Sequence, residues 1–85
     1  MNTESHKGTS KTYRTSDLYL SAFLCASDVF LQGTEKKLDG KIIFLFLIDE
    51  DNLERQKELF YNGRGMVSAA KFVDCIRRLK GICHN

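Results

Sequence analysis

Cysteine and histidine side chains are the residues of this chain best suited to bind a metal or to act as nucleophiles. They are His6, Cys25, Cys75, Cys83 and His84. A structural zinc site needs about four such ligands, usually with two in a Cys-x-x-Cys pair, and no such pair occurs here. A catalytic cysteine paired with His84 also needs a third residue that orients the ring, and the chain end offers none. We therefore predict no metal site and no catalytic cysteine.

A glycine-rich loop at residues 62–65, Asn-Gly-Arg-Gly, is the best candidate for binding a small anion. Glycines let backbone N–H groups approach an anion, and Arg64, Ser68 and Lys71 are near enough in sequence to add polar contacts. The loop is not a P-loop, because the Gly-Lys-Ser/Thr ending is missing. A helix C-cap followed by a turn explains both glycines equally well, so both interpretations stay open.

Basic residues concentrate towards the end of the chain and raise the alternative of a nucleic-acid surface. They are Arg64, Lys71, Arg77, Arg78 and Lys80. A helix with such a face can contact phosphates. However, Asp74 lies four residues before Arg78, a spacing that pairs charges within a helix, and the whole chain has a net charge of only +2. Nucleic-acid binding is therefore permitted but not favoured, and a solvated helix face is the preferred interpretation.

Acidic residues cluster at positions 49–54 without forming a recognisable calcium site. A calcium loop needs a longer alternation of oxygen ligands that ends in a distant glutamate. The cluster instead suits the start of a helix, where carboxylates accept bonds from free N–H groups. No set of residues combines a nucleophile, a base and an orienting partner. We therefore expect a protein that is not an enzyme and that has no cofactor.

The segment from Lys41 to Ile48 reads as a β-strand that is apolar on both faces. Ile42, Phe44, Phe46 and Ile48 point to one side, and Ile43, Leu45 and Leu47 point to the other. The chain's own helices can cover one face, whereas the second face needs a further cover. We therefore expect a homodimer. The residues expected to mediate self-association are Ile42, Phe44, Phe46 and Ile48.

The other segments predict three helices and a β-hairpin around this strand. The expected elements are a helix from Ser16 or Asp17 to about Ser27, strands at 29–37 and 41–48 joined by a turn at Asp39-Gly40, a helix at about 52–61, and a helix from Ser68 to Gly81. Helix caps, helical apolar spacing and the Asp-Gly turn signal support these bounds. The predicted fold is α+β, ordered helix, β-hairpin, helix, helix, with the helices packed on a small antiparallel sheet.

Composition indicates where the folded domain begins and in which cellular compartment the protein is expected. Residues 1–12 contain no apolar side chain after Met1 and predict a flexible polar tail, which leaves residues 13–85 as a single small domain. The longest apolar run, at 42–48, is far shorter than the roughly 20 residues that span a bilayer, so we expect no membrane association. An odd number of irregularly spaced cysteines, with no secretory signal, indicates a cytoplasmic protein with reduced thiols.

Two motifs, one near each end of the domain, resemble a known family. They are Tyr13-Arg14-Thr15-Ser16-Asp17-Leu18, a Tyr-x-Thr-x-Asp-Leu opening, and Arg77-Arg78-Leu79-Lys80, an Arg-x-Leu-Lys close. Together with Val67-Ser68-Ala69 and Phe72, they make the chain resemble a family of small proteins from phages and bacteria that is classed as a domain of unknown function. The similarity covers about residues 13–80.

The resemblance brings no activity, but it implies a genetic context of phages and mobile elements. Small proteins in that context often act by binding a component of the host, which is an association and not a chemical argument. The expected function is a small non-enzymatic protein that acts by protein–protein contact, as a phage or mobile-element inhibitor of a host defence or regulatory protein. The alternative is a nucleic-acid or nucleotide binder that uses the basic C-terminal helix.

Overall fold

A three-stranded antiparallel sheet and three helices make up residues 10–84, the part of the chain that the computed structural model describes. In chain order the elements are β1 (Ser10–Thr15), α1 (Leu18–Ala26), β2 (Phe30–Lys36), β3 (Ile42–Asp49), α2 (Glu50–Tyr61) and α3 (Ala69–Cys83). The predicted α+β fold, with a helix, a hairpin and two further helices, is confirmed. Residues 1–9, which include most of the expected tail, lie outside the described part.

β3 is the central strand of the sheet, with β1 on one side and β2 on the other. The predicted hairpin joins β2 to β3, and the N–H of Lys37 donates to the carbonyl of Lys41 at 2.8 Å across the turn. Gly40 in this turn has a φ of +92°, a conformation that glycine adopts far more easily than other residues. The Asp39-Gly40 turn therefore fixes where the hairpin reverses, and the most apolar strand pairs along both of its edges.

β1 is a strand that the sequence pattern did not indicate. The polar composition of Ser10–Thr12 predicts a flexible tail, but these residues pair with β3, from Asp49 to Leu47. The expected tail therefore ends before Ser10. An edge strand is held largely by hydrogen bonds to its neighbour, so an almost wholly polar segment can occupy it.

Asp17 caps α1 and also connects it to the end of α2. Its Oδ1 accepts bonds from the N–H groups of Tyr19 and Leu20, both at 3.1 Å. Its Oδ2 accepts a bond from the Tyr61 hydroxyl at 2.9 Å. The capping role predicted for Asp17 is confirmed, and the bond from Tyr61 adds a tertiary contact that the sequence did not indicate.

α2 begins two residues before its expected start. Asp49, the last residue of β3, is the N-cap, and its Oδ1 accepts a bond from the N–H of Asn52 at 2.7 Å. Glu50 and Asp51 then occupy the first turn, where negative charge favours the helix. The acidic cluster therefore acts as the helix start that the sequence predicts.

α3 begins as expected but does not end at Gly81. The Ser68 hydroxyl accepts a bond from the N–H of Lys71 at 3.2 Å and caps the helix. The helix then continues through Gly81 to Cys83. Gly81 has no positive φ, and Ile82 packs against the core, which offsets the cost of a glycine inside a helix.

One apolar core lies between the sheet and the helices. Its buried members are Leu20, Ala22, Leu24 and Ala26 from α1, Phe44, Phe46 and Ile48 from β3, and Cys75 and Leu79 from α3. α1 contributes four of these nine residues, more than any other element, because the sheet and the other helices enclose it. α2 has no fully buried residue, although Leu53 and Phe60 pack against the core from its edge.

Gly65 lies so close to the ring of Phe23 that a larger residue cannot fit without movement. A Cβ atom built at Gly65 is 2.5 Å from Cε1 of Phe23, whereas one built at Gly81 meets no atom within 4 Å. Because the Phe23 ring is buried, we expect Gly65→Ala to lower the free energy of unfolding by about 1–3 kcal/mol. The matched change Gly81→Ala removes a glycine from within a helix and should raise it by about 0.5–1 kcal/mol.

Urea denaturation of the native protein and both variants checks the opposite signs of these changes. A Gly65→Ala variant as stable as the native protein would contradict the close packing of this loop on Phe23.

Candidate interaction surfaces

The face of β3 that was expected to mediate self-association is buried inside the protein. Phe44 and Phe46 are 1% and 0% exposed, and Ile48 is also buried. Ile42 is partly buried and packs against the same core. We call this the inner face of the sheet. The expectation that Ile42, Phe44, Phe46 and Ile48 meet a second copy is therefore wrong, because the helices cover these residues.

The opposite side of the sheet, which we call the outer face, is apolar and much more exposed. Its apolar members are Phe30, Ile43, Leu45 and Leu47. Phe30 pairs with Leu47 across the hairpin, and the two side chains remain 63% and 38% exposed. Gly33 pairs with Leu45, and a Cβ built there meets nothing within 4 Å, so a larger residue fits at this position.

Polar side chains from both edge strands meet above β3 on the outer face. The Thr12 hydroxyl donates to Oε1 of Gln32 at 2.7 Å, next to the irregularity in β2. Arg14 forms an ion pair and a hydrogen bond with Glu35, and this bond lowers the pKa of the Glu35 carboxyl. These bridges shield part of the central apolar strip. They also place one positive and one negative group side by side on the outer face.

A second surface lies among the helices and was not indicated by the sequence. We call it the helical groove. It is lined by Phe23, Phe60, Gly63, Gly65, Met66, Val67, Ala69 and Phe72, and its volume is about 480 Å³. The rings of Phe23 and Phe60 pack with centroids 5.5 Å apart, and Met66 is 90% exposed at the rim. The groove draws on two helices, α1 and α3, on the end of α2 and on the loop before α3, so no local pattern reveals it.

The glycine loop acts as a helix cap in this structure. Gly63 has a φ of +70°, and the N–H of Arg64 donates to the carbonyl of Leu59 at 2.8 Å. This is the left-handed geometry that commonly ends a helix. The cap interpretation of the loop therefore accounts for Gly63, and the loop then packs against Phe23 through Gly65.

The residues expected to contact an anion or nucleic acid do not converge on one site. They are Arg64, Ser68, Lys71, Arg77, Arg78 and Lys80. Ser68 is engaged as the cap of α3, and Nζ of Lys71 pairs with Asp28 at 2.6 Å. Arg78 donates towards Sγ of Cys75 at 3.8 Å. Within residues 10–84, Arg64, Arg77 and Lys80 are exposed and form no ion pair. Asp74 is also exposed and forms no ion pair within residues 10–84, so the expected pairing of Asp74 with Arg78 is not observed.

A family model for a domain of unknown function, DUF5659, matches residues 10–85. The chain belongs to the DUF5659 family. Comparison with curated proteins and with solved structures gives no significant match. The resemblance to an uncharacterised domain family is therefore confirmed, and the match extends to the polar strand β1.

No helix among the described residues of this DUF5659 domain has the length and apolar character needed to cross a membrane. Residues 10–84 also hold no cluster of three or more side chains able to bind a metal. Cys83 and His84 are exposed at the end of α3, and His6 lies outside the described residues. The absence of a metal site in the whole chain stays a prediction.

The three thiols differ in exposure, which leads to a prediction about their reactivity. Cys75 is buried, Cys83 is exposed, and burial raises the pKa of the Cys25 thiol to about 11, with the neighbouring Cys75 adding to the shift. Only the thiolate reacts with alkylating agents. At pH 8 we therefore expect Cys83 to react first, and Cys25 to react about a hundredfold more slowly than an unperturbed thiol.

Mass spectrometry after timed alkylation checks this order. Labelling of Cys25 ahead of Cys83 would contradict the packing of α1 against α3.

The raised pKa of Cys25 also predicts how stability depends on pH. The folded state holds the Cys25 proton more tightly than the unfolded chain does, so the free energy of unfolding should fall as the pH rises from about 9 to about 11. Because no metal site is predicted, added chelator should leave the melting temperature unchanged.

Proposed function

We propose that this chain is a non-enzymatic binding protein that acts by protein–protein contact and assembles as a homodimer through its outer sheet face. The observation that supports this most is the apolar outer face, which the helices of residues 10–84 do not cover and which has Phe30 and Leu47 at its exposed end. The inner face has its cover in the helices. A second copy supplies the cover that the outer face lacks.

The outer face can meet a second copy of itself without charge repulsion at its centre. Arg14 and Glu35 pair with each other within one protomer, so neither leaves an unpaired charge beside the apolar strip. A two-fold axis would place the same apolar strip of both protomers face to face. An apolar centre with polar side chains around it is typical of a symmetric interface.

The size of the face sets the expected strength of the dimer. Three strands of up to 8 residues cover about 14 Å by about 27 Å, from the usual strand spacing and rise. This is less than the roughly 800 Å² per partner of a standard interface. Small interfaces are typical of weak, transient contacts, so we expect a weak, reversible dimer.

We further propose that the dimer binds a host defence or regulatory protein in the cytoplasm of a cell that carries a phage or mobile element. The family resemblance supports the genetic context, and the free cysteines suit a reducing compartment. Affinity capture from such cells, with nuclease treatment, tests this proposal. A defined host protein should be retained after nuclease and should co-purify with untagged protein at equal stoichiometry. Capture that disappears with nuclease would contradict protein contact.

Nucleic-acid binding is the second candidate function, because Arg77 and Lys80 are exposed and form no ion pair within residues 10–84. Our proposal predicts no measurable binding of duplex or single-stranded DNA or RNA by the native protein at 150 mM salt. Changing both residues to glutamate should cost less than about 1 kcal/mol of stability, since they are surface residues. Lys36→Glu with Lys37→Glu gives the same charge change at the hairpin.

Fluorescence anisotropy with labelled oligonucleotides checks this prediction. If the native protein binds below 1 μM and only the Arg77→Glu, Lys80→Glu variant loses binding, then nucleic acid is the primary partner. The proposed protein-contact function would then be abandoned.

A further inference from the structure

The helical groove offers a binding site that is separate from the outer sheet face. All of its lining residues belong to the helices or to the loop between α2 and α3, on the side of the sheet that faces the helices. Its volume of about 480 Å³ falls within the range of roughly 300–1,000 Å³ typical of ligand sites. The site is open to solvent at Met66, which is 90% exposed.

The chemistry of the lining selects an apolar group as the occupant of the groove itself. Phe23, Phe60 and Phe72 provide aromatic surface, and Met66 provides a flexible thioether that adapts to different shapes. Gly65 lets the loop backbone lie directly against the Phe23 ring. Among residues 10–84, no charged side chain lines the groove. A phosphate or another small anion would therefore meet apolar surface there.

The loop and helix that supply much of the groove are rich in basic side chains. Residues 62–85 contain five basic and one acidic side chain, whereas residues 1–61 contain eight basic and ten acidic ones. Arg64 stands between the two glycines that line the groove, and Arg77 and Lys80 lie further along α3. None of these three has an ion-pair partner within residues 10–84. Arg64 is adjacent in sequence to the groove lining, so its charge is available to an incoming acidic group.

We propose that the helical groove receives an acidic amphipathic segment of a partner protein, with a bulky apolar side chain in the cavity and carboxylates towards Arg64 and α3. The apolar lining accounts for the anchor, and the charge imbalance accounts for the acidic flanks. This inference rests on the proposed protein-contact function but not on the dimer. The groove and the outer face are on different sides of the sheet, so both can be occupied in one molecule.

The experiment uses two synthetic peptides of about 15 residues that differ only in charge. Both carry tryptophan and leucine at helical spacing, and the polar positions are glutamate in one peptide and lysine in the other. Fluorescence anisotropy of the labelled peptides against the native protein at 150 mM salt gives the affinities. The acidic peptide should bind at least tenfold more tightly than the basic one. Its binding should weaken as salt rises, because the flanking contacts are charged.

Ala69 and Ala70 provide a matched pair of variants. Both are exposed in the first turn of α3, where glutamate favours the helix, but only Ala69 lines the groove. Ala69→Glu should weaken binding of the acidic peptide at least tenfold, and Ala70→Glu should weaken it less than threefold. Both variants should melt within a few degrees of the native protein and keep its oligomeric state.

Nuclear magnetic resonance of the ¹⁵N-labelled native protein locates the peptide independently of any variant. The amides of Gly63, Gly65 and Ala69 should shift on addition of the acidic peptide, while the amides of Leu45 and Leu47 should not. Shifts confined to the outer face would overturn the proposal. The proposal would also be overturned if the two peptides bind equally well or if neither binds at 1 mM. Tighter binding of a single-stranded oligonucleotide, abolished by Ala69→Glu, would overturn it too. If the native protein is a monomer and still binds the acidic peptide at the groove, the proposed dimer is wrong and the groove proposal stands.

Discussion

Replacement of Phe46 by alanine is expected to remove a large part of the stability of this protein. Phe46 is 0% exposed and lies on the inner face of the central strand, between Tyr13 of β1 and Leu31 of β2. Truncation of a buried phenylalanine costs about 3–5 kcal/mol through lost burial and the cavity that remains. A chain of 85 residues typically has only about 4–13 kcal/mol in total. The variant should therefore be partly unfolded at 37 °C.

The neighbouring residue is the control for this effect. Leu47 lies on the outer face and is 38% exposed, so Leu47→Ala should cost no more than about 1 kcal/mol. Urea denaturation followed by circular dichroism measures both variants. Equal losses at the two positions would contradict the assignment of inner and outer faces to β3.

Replacement of Leu47 by lysine is expected to abolish the dimer while leaving the fold intact. Leu47 is at the exposed end of the outer face, beside Phe30. In the monomer a lysine at this position can extend its charge into water, whereas in the dimer the charge would be desolvated without a partner. We expect the dissociation constant to rise at least a hundredfold, or about 2.7 kcal/mol.

Leu38 provides the matched control for this substitution. It is fully exposed in the hairpin turn, away from the outer face, and Leu38→Lys makes the same chemical change there. Sedimentation velocity and thermal melting of both variants separate association from stability. If Leu47→Lys dimerises as well as Leu38→Lys does, the outer face is not the interface.

The sequence predicts the pattern of this fold well where the signal is local. The Asp39-Gly40 turn, the Ser68 cap and the Asp17 cap all depend on residues within a few positions of each other, and each lies where it was expected. The exception among local signals is Gly81. Its neighbour Ile82 packs on the core, and that tertiary contact outweighs the weak preference of glycine against helix.

Features that depend on distant residues were missed or misassigned. Alternation along β3 shows that two apolar faces exist, but it does not tell which face the helices cover. β1 is stabilised by pairing with residues 29 to 39 positions further along the chain, from Thr15↔Phe44 to Ser10↔Asp49, and its own polar sequence carries almost no strand signal. The helical groove depends on the contact between Gly65 and Phe23, which follows from the packing of the loop on α1. Self-association was assigned to the side of β3 that the helices bury, and self-association through the opposite side is our proposal.

Sedimentation equilibrium of the unmodified protein from 20 μM to 1 mM tests the pairing of two outer sheet faces most directly. The average mass should rise with concentration from the 9.7 kDa of one chain towards twice that value and no further, because a two-fold interface is closed. A constant mass of 9.7 kDa up to 1 mM would contradict this pairing.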